Sequence, residues 1–313
     1  MTASTKVSRV ADFVLRQLKA HQLKWAKQEA SSAIPPLFVG VQGPQGSGKS
    51  FLTSLLPEVL SAPPHNLRLA ALSLDDLYLP HTELTQLEKD YPDNKLLHGR
   101  GQPGTHDLPL GHKCLEALAG INASRGSSVE LPIYDKSKFS GKGDRSPEVV
   151  KVTSPIDIVI FEGWATGFYS ISEDELRTVY EQAQEDPKKY AHARYGYDDP
   201  FFLTHDVKSL LQINAKLTEY EKLLWKYIDC FIQLRPQSMS YVWKWRLEQE
   251  HQMKAKNGGI GMTDDEVKAF IGRYMPGYEL FLDGLSGPQT PWHGHGMRIV
   301  LDDKRDITSE ETF

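Results

Sequence analysis

The sequence predicts an α/β fold, a mostly parallel sheet with helices on both faces, and three observations predict it. Short apolar runs alternate with stretches of helical periodicity along the chain. Those runs are continuous rather than alternating in polarity, as strands buried on both faces must be. A glycine-rich pattern, GxxxxGK[ST], sits between one such run and the helix after it. The whole chain, 1–313, reads as a single domain with a helical lid.

Residues 1–33 open with an amphipathic helix. Val7, Val10, Phe13, Val14 and Leu18 share one face, and the pattern runs through Trp25 to about Ala30. Residues 1–28 hold one acid, Asp12, among several Ser, Lys and Arg, which also fits a transit peptide, but the helical pattern is stronger and a docked helix is expected. Ile34-Pro35-Pro36 breaks the chain. Leu37 to Val41 is a short buried strand, Phe51 to Leu60 the helix after it, and Leu67 to Leu74 another strand, ending in Asp75-Asp76. Residues 82–107 are polar and turn-rich, and Leu110 to Ala119 is helical. Val129 to Tyr134 is a strand entering a Lys/Gly/Ser loop at 135–147. Ile156 to Phe161, the most apolar run, is expected as a central parallel strand.

Residues 172–208 are rich in charge and Tyr, with Pro187 and Pro200, and read as an insertion or a long surface excursion. Leu210 to Trp225 is a helix and Ile228 to Leu234 a late strand. Residues 241–283 form the lid and a following helix: Tyr241 to Lys256, a glycine break, then a capping box from Thr263 to Glu266. The tail from 284 is Gly/Pro-rich, with a strand at Met297 to Leu301 and polar residues after it.

Composition narrows the function. The 313 residues are 40% hydrophobic and 25% charged, an ordinary globular balance, with net charge −5 and no basic block. No nucleic-acid partner is expected. No stretch approaches the roughly 18 apolar residues of a transmembrane helix, so no membrane partner is expected either. Cys114 and Cys230 lie too far apart for a CxxC or zinc spacing and read as free thiols of a reducing compartment. With no secretory signal, a cytoplasmic location is expected, compatible with nuclear entry. The His293-Gly294-His295 spacing has no third ligand near it and reads as loop rather than metal site. No oligomeric state follows.

Gly43-Pro44-Gln45-Gly46-Ser47-Gly48-Lys49-Ser50 completes the phosphate-loop pattern and assigns the P-loop NTPase fold. Its glycines let the backbone wrap phosphates at positive φ, and its N–H groups, with the N-terminus of the next helix at Phe51, supply positive potential. Lys49 is expected at the β- and γ-phosphates of ATP and Ser50 at Mg²⁺. Glu162, delivered by the apolar strand that ends in Phe161, is the carboxylate expected near the same metal. Asp75 closes an earlier strand and is the candidate base that takes the proton of an acceptor hydroxyl; Asp76 is the alternative.

An ordered set of motifs carries a resemblance. The phosphate loop, Ser73 to Pro80, Leu97 to Asp107, Tyr134 to Lys138, Gly141 to Arg145, Phe161 to Trp164 and Trp245 to Glu250 occur in sequence. Together they resemble D-glycerate 3-kinase of the plant and fungal type, whose fungal members are described as ATP-dependent kinases, related to phosphoribulokinase, uridine kinase and pantothenate kinase. The likeness covers roughly residues 36–170 and 210–283. It implies that Asp75 is the catalytic base and that Asp76, Tyr78, Arg100, His106 and Asp107 line the acceptor pocket. It further implies that Lys136 and Arg145 hold the acceptor or its carboxylate, and that Arg246, on the lid, approaches the transferring phosphate. Cations of this kind suit a small anionic acceptor, since Arg grips carboxylates through two parallel bonds. The expected reaction phosphorylates D-glycerate to 3-phosphoglycerate. A nucleoside, a pantothenate-like acid or a sugar as acceptor, and a regulatory ATP-binding module without chemistry, are the rivals. Residues 172–208 and Trp292 to His295 match nothing in the family pattern.

Overall fold

Alternation of side chains along the strands sorts the core into two layers. The computed structural model describes residues 3–28, 33–256 and 258–313. In chain order the elements are α1 (Ala3–Gln28), β1 (Leu37–Gln42), α2 (Lys49–Ser61), β2 (Leu69–Ser73), α3 (His81–Asp90), α4 (Leu108–Ala119), β3 (Ser128–Asp135), β4 (Asp144–Thr153) and β5 (Ile158–Gly163). There follow α5 (Glu173–Glu185), α6 (Pro187–Tyr195), α7 (Val207–Leu223), β6 (Cys230–Pro236), α8 (Tyr241–Lys256), α9 (Asp264–Gly272), α10 (Met275–Phe281), β7 (Gly296–Leu301) and β8 (Ile307–Thr312). Six strands form one sheet in the order β2-β5-β1-β6-β7-β8, parallel except for β8.

Leu37, Val39 and Val41 of β1, with Ile158 and Ile160 of β5, face a layer built from Val10 and Val14 of α1 and Leu52 and Leu56 of α2. Phe38, Val159, Phe161 and Phe231 face the other way, onto Leu115 and Leu118 of α4 and Ile213 and Leu217 of α7. The strands are apolar throughout because each has a helical layer on both sides. The predicted stripe of α1 is buried as expected, Val10 and Val14 completely. The expected end of this helix near Ala30 lies outside the described residues.

Four segments differ from expectation. Residues 82–107 are not all loop: His81–Asp90 is the helix α3, and since only Leu84 of it is buried it carries no apolar stripe to betray it. The strand predicted at 129–134 is present, but it leaves the main sheet and pairs with β4 as a separate antiparallel hairpin. The polar tail holds β8, whose outward residues are exposed on the sheet edge. Residues 172–208, expected as an insertion or a long surface excursion, hold two helices packed on the core. Capped by Ser172 and Asp186, α5 and α6 bury Leu176, Ala183, Ala191 and Tyr195 in the same layer as β5 and β6. The capping box at Thr263 and Glu266 is formed in full.

The parallel strands β1, β2, β5 and β6 end on one edge of the sheet, and the loops that carry the motifs leave from there. In such sheets the crevice outside the carboxyl ends of the strands is the ligand site.

Candidate active site

The loop from Gly43 to Ser50 links β1 to α2. Gly46 and Gly48 have φ of 77° and 88°, which the tight wrap of backbone requires and which a side chain would strain. Gly46 is constrained twice, since a Cβ there would stand 2.5 Å from Cβ of Trp245 on α8. Lys49 opens α2, and its ammonium pairs with the carboxylate of Glu162 at the end of β5. The two groups expected to flank the phosphates therefore meet. Ser50 and Phe51 are exposed on the first turn of α2, open to a ligand. Gln45 accepts a hydrogen bond from the hydroxyl of Tyr278, which ties the loop to α10. Pro44 is buried, and its carbonyl accepts from Ser47 N–H at 3.2 Å.

Asp75 lies in the 3-10 turn Leu74–Leu77 after β2, where Ser73 caps the turn by accepting from Asp75 N–H at 3.2 Å. Its Oδ2 is 2.5 Å from Nζ of Lys136. Oδ1 is buried without a hydrogen bond. Burial pushes its pKa up, but the charge and hydrogen bond of Lys136, helped by Lys49, pull it below the usual carboxylate value. The group is thus an ionised carboxylate, close enough to Lys49 to feel its charge, as a base beside a phosphate loop must be. His106 and Tyr78 pair as an isolated β-bridge with their rings stacked at 4.3 Å. His106 is buried, and burial drives its pKa down to about 3, so its imidazole is neutral. Burial likewise raises the Tyr78 hydroxyl well above its ordinary value.

Several residues expected to touch the acceptor have other occupations. Asp76 accepts from Tyr134 N–H at 3.0 Å and so joins β3 to the Asp75 turn. Asp107 caps α4, accepting from Leu110 N–H at 3.0 Å, and pairs with Arg145 at 2.9 Å. Arg145 also donates to the Tyr78 carbonyl at 3.3 Å. These three brace the wall that carries Asp75 and Tyr78. Arg100 donates to the carbonyls of Gly141 and Lys142, clasping the tip of the β3–β4 hairpin, and borders a cleft of about 310 Å³ with His98, Arg273 and Tyr274. Arg246 of α8, expected on a lid, is held between α8 and α9. Its guanidinium pairs with Glu250, fully buried one turn on, at 2.7 Å, and lies 5.3 Å from the ring centre of Phe270 on α9.

Sequence reading missed three contributors. Tyr220 of α7 joins His106 through its hydroxyl at 2.7 Å. Arg305, between β7 and β8, donates from Nε to the Gly46 carbonyl at 2.6 Å and from Nη1 to Glu248 at 2.8 Å. Nothing local signals either one. Glu250 was within reach, because it stands four residues after Arg246 on one helix face. Among the described residues no group of three or more metal-ligating side chains occurs, and His295 contacts Gln17.

A phosphate loop at the carboxyl edge of a parallel sheet, with its lysine against a strand-end carboxylate and an ionised aspartate nearby, defines a P-loop kinase, an ATP-dependent phosphotransferase with an alcohol acceptor. No protein-family model matches the sequence. The chain is 50% identical to the solved D-glycerate 3-kinase of Cryptococcus neoformans var. grubii, covering 98% of this chain and 99% of that one at a TM-score of 0.90. It is 33% identical over 312 residues to the "Probable ATP-dependent kinase TDA10" of Saccharomyces cerevisiae, with 98% of each chain covered. The chloroplastic D-glycerate 3-kinase of Arabidopsis thaliana is 33% identical over 277 residues, which span 87% of this chain and 54% of that protein. The chain belongs to the family of D-glycerate 3-kinases and their fungal ATP-dependent kinase relatives.

Proposed function

We propose that this kinase transfers the γ-phosphoryl group of ATP to the hydroxyl of a small anionic hydroxy acid, with D-glycerate as acceptor and 3-phosphoglycerate as product. The observation that carries this reading is the Asp75–Lys136 pair beside the phosphate loop: a base for the hydroxyl and a cation for a carboxylate, side by side. Asp75 takes the proton as the acceptor oxygen bonds to the γ-phosphorus and the bond to the β-phosphate oxygen breaks. Lys136, more than half exposed, can turn from Asp75 to the acceptor carboxylate. Lys49 steadies the β- and γ-phosphates. Arg246 contributes only if lid movement frees it from Glu250.

The hard oxygen donors of Ser50 and Glu162 suit Mg²⁺, which would neutralise phosphate charge there. A cytoplasmic location accords with Cys114 and Cys230 being free and buried, and imaging a fluorescent fusion checks it.

The test is ADP release from Mg-ATP with D-glycerate, pantothenate, uridine and fructose as acceptors. Stimulation by D-glycerate supports the reading. Stimulation by another acceptor alone replaces glycerate, and ADP release that no acceptor stimulates shifts weight to a regulatory ATP-binding role.

A further inference from the structure

The hydroxyl of Tyr220 stands between two nitrogens. It accepts from Gly104 N–H at 2.7 Å and lies 2.7 Å from Nδ1 of His106. A phenol has one proton to give. Were Nδ1 protonated, the hydroxyl would accept twice and its own buried proton would need a third partner. Among the described residues it has none, so the phenol proton and the Nε2 lone pair would both be buried unpaired, whereas a proton on Nε2 leaves only that one group without a partner. The consistent arrangement is therefore directional: Gly104 N–H donates to Tyr220, and Tyr220 O–H donates to Nδ1. That leaves the proton of the neutral ring on Nε2.

Nε2 is buried, has no hydrogen-bond partner, and points away from Tyr220. His106 is only 4% exposed, fixed by its stack on Tyr78 and edge-on contact with Tyr220. Asp75 is near enough for its charge to act on the protonation of the ring. A buried donor without a partner beside a catalytic carboxylate is a place prepared for a ligand oxygen.

We propose that Tyr220 is a positioning residue that locks His106 as a neutral Nε2–H donor, and that this donor binds an oxygen of the acceptor molecule beside Asp75. This rests on the kinase reading above and deepens it. A neutral donor accepts a hydroxyl or carboxylate oxygen without adding a second cation to compete with Lys136 for Asp75. The subsite thus selects acceptors that present an oxygen lone pair next to the reacting hydroxyl, as a hydroxy acid does, and disfavours those with an apolar group there.

The experiment is ¹⁵N NMR of histidine-labelled protein, alone and with D-glycerate, beside steady-state kinetics of Tyr220→Phe, His106→Gln and His106→Leu. Expected are an Nε2–H tautomer in the free protein and movement of that signal on adding D-glycerate. Tyr220→Phe should lose the single tautomer and raise KM for D-glycerate about tenfold, with kcat and ATP affinity little changed. His106→Gln, which keeps an N–H near the Nε2 position, should retain more activity than His106→Leu. An Nδ1–H tautomer in the free protein overturns the inference. So does an Nε2 signal unmoved by D-glycerate in an enzyme that turns it over, or a Tyr220→Phe variant with unaltered tautomer and KM. If D-glycerate is not turned over, the acceptor named under the proposed function fails, and the same titration with the acceptor that is turned over decides the subsite.

Discussion

The two halves of the site are built differently. On the nucleotide side, eight consecutive residues, Gly43 to Ser50, form the cradle, and one further residue, Glu162, meets Lys49 across the β1–β5 pair. On the acceptor side, the groups that meet come from separate elements. Asp75 follows β2, His106 precedes α4, Lys136 follows β3, and Tyr220 sits on α7. A phosphate cradle is made of backbone, so its geometry is local and travels as a motif. An acceptor pocket is made of side chains, so it exists only once the fold brings distant residues together.

That contrast can be broken in order of expected effect. Lys49→Ala should lower kcat/KM by about 10³-fold or more, since it removes the charge at the transferring phosphate. If Arg246 is released to the phosphate when the lid moves, Arg246→Lys should lower kcat about 10²-fold and leave ATP affinity nearly intact. An unchanged kcat would leave Arg246 with its Glu250 pair alone.

The nucleotide half also leans on one distant residue, and Arg305→Ala tests that dependence. It frees the Gly46 carbonyl from the guanidinium bonded to it, and should weaken ATP binding about tenfold by calorimetry with D-glycerate KM unaltered. Equal affinity would show that the cradle holds its shape unaided. On the acceptor half, Asp107→Ala removes the α4 cap and the partner of Arg145 together, and should cost roughly 1–2 kcal/mol in denaturant melts.

The smallest effect is one of pH. Glu279 of α10 accepts from the hydroxyl of Tyr197 and the N–H groups of Phe201 and Phe202, holding the 172–208 segment against the core. Burial lifts its pKa from 4.5 to about 7. The folded state therefore binds this proton more tightly than the unfolded chain, and the group's contribution to stability falls as pH rises from about 4.5 to about 7. Glu279→Gln has no such titration, so its melting temperature should gain on the wild type across that window. A difference independent of pH would contradict it.

Much of this was legible beforehand, for reasons the same contrast supplies. The two-layer sheet was readable because strands buried on both faces are apolar throughout, as Ile158 to Phe161 are. The lysine was readable from the GxxxxGK[ST] spacing, and Glu162 and Asp75 because they stand at the ends of strands. By contrast, Asp76, Asp107 and Arg145 carry the right chemistry to bind an acceptor and also brace the scaffold, a use that residue type does not reveal. Tyr220 and Arg305 act across 114 and 259 residues of chain, so no spacing could announce them. The helices at 172–208 were hidden for another reason: they bury few, widely spaced side chains and expose many charges.

The most direct measurement is the pH dependence of D-glycerate-stimulated ADP release in the wild type, Asp75→Asn and Lys136→Met. Asp75→Asn should lose about 10²–10⁴-fold in kcat. In the wild type the acid limb of kcat/KM, which reports the free enzyme, should fall below the ordinary value of 3.8, since Lys136 holds Asp75 ionised, and in Lys136→Met, where that charge no longer opposes burial, it should move upward. Turnover by Asp75→Asn at the wild-type rate, with its acid limb unmoved, would contradict the assignment of Asp75 as the base.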